Sequence, residues 1–279
     1  MSDTLTALLL GAAVSVAVAT LTMVATSLVA RAQGRVVVVD TAWGLGFAAI
    51  ALAAALLSVT GAGDGEPWRT WLLAAMVASW GARLARHLHL RNHLGEDPRY
   101  ERHLGGTLAE VGLGVAVRKV FAVQGAAMAL VAWPAAAAPF APLERPWVLA
   151  LGTVVWAVGL IFEALGDAQL AAYKATPRDR RRPVLDTGLW RYTRHPNYFG
   201  DACVWWGVWL AGGVASGWEI GLATVLAPIA MTYFLVQATG AGLLEQTMMK
   251  RPGYPEYAAR TSKFVPLPPR GGTRQPRTP

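Results

Sequence analysis

The chain has 279 residues, 54% of them hydrophobic and only 15% charged, with a formal net charge of +8. That balance excludes an ordinary soluble globule and points to a membrane protein whose cations gather in short loops. The single cysteine, Cys203, excludes an internal disulfide, and its apolar neighbours suit a small buried side chain.

Apolar runs cover residues 5–30, 36–60, 68–90, 119–140, 147–173, 198–216 and 217–244. Each approaches or exceeds the roughly 20 residues needed to cross the hydrocarbon core. The expected fold is all-α, a polytopic membrane protein with seven transmembrane helices in one domain over residues 1–266. The sixth run is the shortest, and Gly212-Gly213 and Ser216-Gly217 blur its boundary with the seventh. Ala30-Arg31-Ala32 resembles a cleavage site, but only Asp3 and no cation precedes the first run. The run also exceeds the roughly 7–15 residues of a signal core, so a retained helix is expected. Lys and Arg cluster after runs 1, 3 and 5 and in the C-terminal tail. The loops after runs 2 and 4 hold one cation each, Arg69 and Arg145, and the loop after run 6 holds none. The positive-inside rule then places the N-terminus outside and the C-terminus in the cytoplasm. A basic nucleic-acid binder has no use for seven apolar runs, so no nucleic-acid partner is expected.

In chain order, Arg31 to Arg35 form a tight turn with Gly34 as its bend. Asp40 is the only acid of run 2 and lies in its first turn. It either caps the helix start or faces the bundle interior, where ionisable groups mark sites. Trp43 shares its face, and Gly44 and Gly46 allow close approach of a helix or a flat ligand. The end of run 3 brings Trp80, Arg83, Arg86, His87, His89, Arg91, Asn92 and His93, before Gly95-Glu-Asp-Pro98 stops the helix. Arg86 and Arg91 can snorkel to the interface, but Arg83 lies deeper. The pattern suits a cationic pocket for an anionic cofactor, which Arg99 and Tyr100 extend. The histidines, with His103, match no metal-ligand spacing, and no metal is expected. Gln124 is the one strongly polar side chain of run 4 and is easily satisfied by a neighbouring helix.

Run 5 carries Glu163 and Asp167 on one face, followed by Gln169 and Lys174. Such a pair calls for a partner: an arginine of the next loop, or the hydroxyls or amide of a ligand. Cations at 174, 178, 180, 181 and 182 lead into the densest stretch of the chain, Gly188 to Asp201. Pro196 suits a first helical turn, and free N–H groups beside Arg194 and His195 make an anion site. Asn197 and Asp201 lie four apart there, with Tyr198 and Trp205 as aromatic surface. Run 7 carries Pro228, a kink signal, then Gln237, Thr239 and Glu245. Tyr257 and Arg260 belong to a segment expected to fold back as a lid. From about 267 the Pro/Gly/Arg-rich end is expected to be disordered.

Gly188-Leu-Trp-Arg-Tyr-Thr-Arg-His-Pro-Asn-Tyr-Phe-Gly-Asp201, followed by Trp205-Trp-Gly207, resembles the C-terminal signature of the steroid 5α-reductase family. The likeness is greatest to its bacterial branch. Asp40-Thr-Ala-Trp-Gly44, Glu96-Asp-Pro-Arg-Tyr100, Glu163 with Asp167, Arg251-Pro-Gly-Tyr254 and Arg260-Thr-Ser-Lys-Phe264 extend it over about 36–266. The resemblance implies a monomeric reductase of the bacterial inner membrane. It would reduce the C=C bond of an enone in a lipophilic, steroid-like substrate, with NADPH bound on the cytoplasmic side. Asn197, Asp201 and Asp167 match cofactor-binding residues of the family. Glu163 takes the place of an Asn, Lys174 of an Arg, and Arg260 approximates a C-terminal Arg. With Arg91, Asn92, Arg99, Tyr100, Arg194, His195, Tyr198, Glu245 and Tyr257 they form the expected cofactor site. Asp40, Trp43, Trp80 and Arg83 form the expected catalytic set.

The Gln-Glu pair of eukaryotic members is missing here, and Trp80 stands where they have a Tyr. Ketone polarisation is therefore expected from a protonated Asp40 or a water it holds, with Arg83 as the second candidate. One rival is an S-adenosylmethionine-dependent membrane methyltransferase of the isoprenylcysteine type, whose signature is similar. The cations of 83–99 and 174–194 suit a phosphate-rich dinucleotide better than a sulfonium. A non-enzymatic scaffold would leave Glu163 and Asp167 without a role.

Overall fold

The first helix, α1 (Asp3–Gln33), carries its acid in the first turn and Arg31 in the last, as the helix dipole favours. The computed structural model describes residues 3–92, 95–238 and 240–270. Over these residues the chain is helical and has no strand, apart from an isolated bridge between Thr193 and Ser262. After α1 come α2 (Val38–Ser58), α3 (Pro67–Asn92), the short α4 (Pro98–Leu104), and α5, the run Leu113–Phe140 with a π-helical turn at Val117–Phe121. Then follow α6 (Pro146–Ala175), α7 (Pro196–Gly212), α8 (Trp218–Gln237), α9 (Ala241–Met248) and α10 (Tyr254–Arg260).

Five helices among the described residues are long and apolar enough to cross a membrane: α1, α2, α5, α6 and α8. This is the make-up of an integral membrane protein. The other two expected spans are helical but differ in kind. α3 is 26 residues long and carries Arg69, Arg83, Arg86, His87 and His89. α7 has only 17 residues.

α8 breaks before its proline rather than at it. Pro228 has no N–H for the carbonyl of Thr224, which instead accepts from Ala227 at 3.0 Å. Residues 224–225 therefore leave the helix, and the chain re-enters it at Leu226. Pro134, inside α5, is tolerated, and that helix runs on to a 3₁₀ end at Ala138–Phe140.

The chain packs as two units. One contains the residues up to Thr153 with Gly207–Ala230, and the other Val154–Trp206 with the residues from Met231 on. In the first, α2 and α3 meet backbone to backbone. A Cβ on Gly44 would lie 2.4 Å from the carbonyl oxygen of Gly81, and one on Gly81 would lie 2.3 Å from that of Gly44. Only two glycines permit this crossing, and it sets α2's Asp40 one turn away. α1 packs on α5 with Gly11 against Ala137, and Trp133 Nε1 donates to the Leu8 carbonyl at 2.9 Å.

Arg69, which a reading of charge along the chain assigns to a loop, is fully buried in the first turn of α3. Its Nη2 donates to Ser216 Oγ at 2.5 Å and to the Ala138 carbonyl at 3.5 Å, with Glu66 at 3.7 Å. Glu66 in turn accepts from the Leu143 N–H at 3.1 Å. A long cation in a first helical turn can reach back over neighbouring chain ends, and hydropathy does not record that.

The Gly44–Gly81 crossing can be tested by adding one methyl group. Gly44→Ala should cost about 1–3 kcal/mol through overpacking. Gly114→Ala, where no atom lies within 4 Å of the new methyl, should be neutral. Unfolding midpoints in detergent measure both, and equal shifts would contradict the crossing.

Candidate functional site

In the first unit, the site is built from the start of α2 and the segment leading into α4. The N–H groups of Val36 and Val37, which have no intrahelical partner, both donate to the Glu96 carboxylate, Val37 at 2.9 Å. A negative charge at the start of α2 also suits its dipole. Glu96 thus caps the start of α2. Asp97 caps α4, accepting from the Arg99 N–H at 2.9 Å, with Pro98 in the first turn.

This arrangement sets Tyr100 against Asp40. The Tyr100 hydroxyl donates to Asp40 Oδ1 at 2.5 Å, and Gln124 Nε2 reaches the same phenol oxygen at 3.4 Å. Burial, then the Asp40 carboxylate beside it, raises the Tyr100 pKa well above the ordinary phenol value. Arg99 pairs with Asp97 at 2.7 Å and stands 3.9 Å from Asp40.

Tyr100, a residue expected at the cofactor, is thus paired with Asp40 of the expected catalytic set. Behind Asp40, Trp43 packs edge-on against Phe47 at 5.0 Å, and Phe47 against the fully buried Trp80 at 5.6 Å. These two tryptophans form an aromatic wall. Arg83 is half-buried one turn beyond Trp80. The side chains of Arg91 and Asn92, and all of His93, lie outside the described residues, as does Thr239.

In the second unit, α6 and α7 cross on small residues. A Cβ on Gly200 would lie 2.4 Å from the Glu163 nitrogen and 2.6 Å from the Gly159 carbonyl oxygen. The crossing buries Glu163 and Asp201 and sets Asn197 against Asp167, with Asn197 Nδ2 donating to Asp167 Oδ1 at 3.0 Å. Gly166 leaves room for this, since a Cβ there would lie 3.0 Å from the Asn197 nitrogen. Asn197 and Asp167, joined here by sequence pattern alone, are brought together.

Arg194 and His195 have a different task from anion binding. Arg194 forks onto Glu245, with Nε to Oε1 at 2.6 Å and Nη2 to Oε2 at 3.0 Å. Its Nη1 donates to the carbonyls of Ala258 (2.6 Å) and Thr261 (3.0 Å). His195 Nε2 lies 3.2 Å from Glu245 Oε1, and its ring stacks on Tyr198 at 5.4 Å. Burial pushes the Glu245 pKa up, but hydrogen bonds from His195 and Arg194 outweigh it and bring the carboxyl down to about 2. Arg194 therefore holds chain segments together, and its fork is occupied.

The tail folds back onto this arginine. Tyr257 Oη donates to the Trp190 carbonyl at 2.5 Å, and Thr193 Oγ1 to the Phe264 carbonyl at 2.8 Å. The Leu267 N–H donates to the Tyr192 carbonyl at 3.0 Å, and that of Arg270 to the Arg260 carbonyl at 2.9 Å. Tyr257 is thus a buried strut rather than a ligand group, and ordered bonding continues to Arg270. The rest of the expected disordered tail, 271–279, lies outside the described residues.

Lys174 is exposed, and its carbonyl accepts from Arg181, which also bonds the Thr176 carbonyl through Nε at 2.9 Å. An arginine thus caps the C-terminus of α6. Arg260 pairs with Asp186 at 2.6 Å. Among the described residues no group of three or more His, Cys, Asp or Glu is placed to hold a metal ion.

The sequence reading missed Glu96 as a cap, Gln124 as a neighbour of the phenol, and the pairing of Arg194 with Glu245. The Glu-Asp-Pro signal before α4 could have suggested the first.

These features define a class: an all-helical integral membrane protein with a carboxylate–phenol pair in one unit and a carboxylate–amide pair in the other. Residues 26–261 match the family described as Protein of unknown function (DUF1295), and the chain belongs to that family. No curated protein and no solved structure matches the chain.

Glu245 supplies a pH-dependent prediction. A carboxyl held at about 2, below its ordinary 4.5, contributes stability that is present above pH 4.5 and is lost as the pH falls toward 2. Tail amides such as Leu267 N–H should lose exchange protection across that window. At pH 7, Glu245→Gln should raise their exchange about 100-fold, the effect of about 3 kcal/mol from breaking a largely buried ion pair. Unchanged protection would contradict the clamp.

Proposed function

We propose that the protein is an NADPH-dependent membrane reductase of the C=C bond of an enone, acting on a flat lipophilic substrate such as a 3-oxo-Δ4 steroid. What carries the reading is the hydrogen bond from Tyr100 to Asp40 in an apolar bundle. Reduction by hydride needs a proton source and a group to steady the developing enolate. Methyl transfer from S-adenosylmethionine needs neither, which disfavours the rival reading.

The residues of the second unit fit a dinucleotide. Asp167 offers an acceptor for ribose hydroxyls, and Asn197 pairs an amide with it, the complement of a carboxamide. Glu163 and Asp201 add buried carboxylates on the same crossing. NADPH, when bound, supplies the hydride for the β-carbon. In the reacting complex a protonated Asp40 would donate to the phenol oxygen, which Gln124 Nε2 also bonds, and so free the Tyr100 O–H for the substrate oxygen. The aromatic wall of Trp43, Phe47 and Trp80 supplies apolar surface on α2 and α3. Placement of the cofactor end on the cytoplasmic side of the bacterial inner membrane, where NADPH is made available, belongs to the same proposal.

Tyr100→Phe should lower enone-dependent NADPH oxidation about 10²–10⁴-fold while leaving dinucleotide affinity within about twofold. Asp40→Asn should act in the same direction. Assays in detergent or nanodiscs with a 3-oxo-Δ4 steroid measure both. Full turnover in Tyr100→Phe, or stabilisation of the protein by S-adenosylmethionine alone, would overturn the proposal.

A further inference from the structure

In the first unit a groove of about 480 Å³ runs between α1 and α2. On α1 its wall is Thr22, Thr26 and Val29, and on α2 it is Thr41, Leu45 and Ala49. Each stripe follows its helix for about three turns, roughly 16 Å from Thr22 to Gln33 and from Val38 to Ala49. The Thr22 and Thr26 hydroxyls donate within their own helix, to the Val18 carbonyl at 2.8 Å and the Thr22 carbonyl at 2.7 Å. The length of the groove is therefore mainly apolar. It is not on the side of α2 that carries the Asp40–Tyr100 pair. Asp40, Gly44 and Phe47 recur at helical spacing, with Gly44 against Gly81 and Phe47 against Trp80 of α3. Val38, Ala42, Leu45 and Ala49 recur two residues out of step, about 200° around the helix.

One end of the groove is polar and preset. Gly34, at φ +69°, closes α1 in the left-handed conformation that favours glycine, and the Arg35 N–H reaches back to the Ala30 carbonyl at 3.2 Å. Gln33 Oε1 accepts from Arg35 Nε at 2.9 Å. Gln33, Arg35 and His89 of α3 line this end, and Arg31 is exposed in the last turn of α1. The acids before α4 bind other donors: Glu96 the Val36 and Val37 N–H groups, and Asp97 the Arg99 guanidinium. The end thus keeps the positive sign of Arg31 and Arg35.

α1 and α2 both have the length and apolarity of membrane spans, and Val29 and Leu45 on the groove walls are 45% and 51% exposed. The groove therefore opens sideways onto lipid, where acyl chains are the solvent. A guanidinium at the head of such a channel matches phosphate oxygens. We infer that the groove seats one anionic glycerophospholipid, with an acyl chain along α1 and α2 and its headgroup phosphate at Arg35. A zwitterionic lipid also carries an ammonium, which Arg31 and Arg35 repel. The seat lies on the opposite face of α2 from the enone site, and the inference does not rest on the reductase reading.

Native mass spectrometry tests the seat on the purified full chain, released from micelles containing phosphatidylglycerol or phosphatidylcholine. One phosphatidylglycerol should stay bound per chain, in preference to phosphatidylcholine. Arg35→Gln should lower the phosphatidylglycerol affinity about 10- to 100-fold, the effect of losing a charge-assisted hydrogen bond. Ala25→Phe, at an exposed position of the groove wall, should obstruct the acyl chain and weaken binding at least as much. Val24→Phe, exposed on the other face of α1, should leave it unchanged. Equal retention of the two lipids, or wild-type retention in either Arg35→Gln or Ala25→Phe, overturns the inference. Displacement of the bound lipid by a 3-oxo-Δ4 steroid overturns it too, since the groove would then be a path for substrate. If Arg35→Gln does not fold, Ala25→Phe against Val24→Phe decides.

Discussion

The second unit depends on one ion pair. Arg194 has all three nitrogens of its guanidinium engaged: Glu245 takes two donors, and carbonyls at the end of α10 take two more. Remove it, and three segments far apart in sequence lose their common point: the turn before α7, the helix α9 and the tail. A half-buried charge is stable only when its partner and its remaining hydrogen bonds are all supplied, and here they are. The consequence reaches further than the pair. The tail it anchors lays Tyr257 under Trp190 and Thr193 under Phe264, so the Gly188–Asp201 stretch is rigid because the end of the chain holds it.

The two polar pairs follow a common plan. Each lies beside a helix crossing that small residues allow: Asp40 beside Gly44 and Gly81, Asp167 beside Gly166 and Gly200. Close backbones leave little room for side-chain motion, and polar groups carried past such a crossing are placed accurately. In both pairs an acid accepts from a neutral donor, a phenol in one and an amide in the other. An acid so bonded keeps its geometry without needing a cation, and the nearby cations are left to other tasks. Arg99 stays mainly with Asp97, and Arg181 ends a helix.

Much of this was legible in the residues. Long apolar runs separated by basic loops indicate helices, because only a helix satisfies its backbone inside a bilayer. Spacing of three and four placed Trp43 with Asp40 and Asp167 with Glu163. What could not be read is contact between distant segments. Nothing in a count of charges tells Arg194, occupied by a glutamate fifty-one positions on, from Arg191, which pairs with no carboxylate among the described residues. The same blindness put Arg69 in a loop and missed Glu96 as the α2 cap. α3 and α7 show the limit of hydropathy too, since one is long but studded with cations and the other apolar but short.

Arg69 has one more consequence. Its guanidinium joins the start of α3 to Ser216 and to the carbonyl end of α5, with no exposed surface. Parting those elements would strand a full charge in an apolar setting, a heavy penalty. The Arg69 end of the first unit therefore behaves as a stitched seam, closed to any breathing that would part α3 from α5.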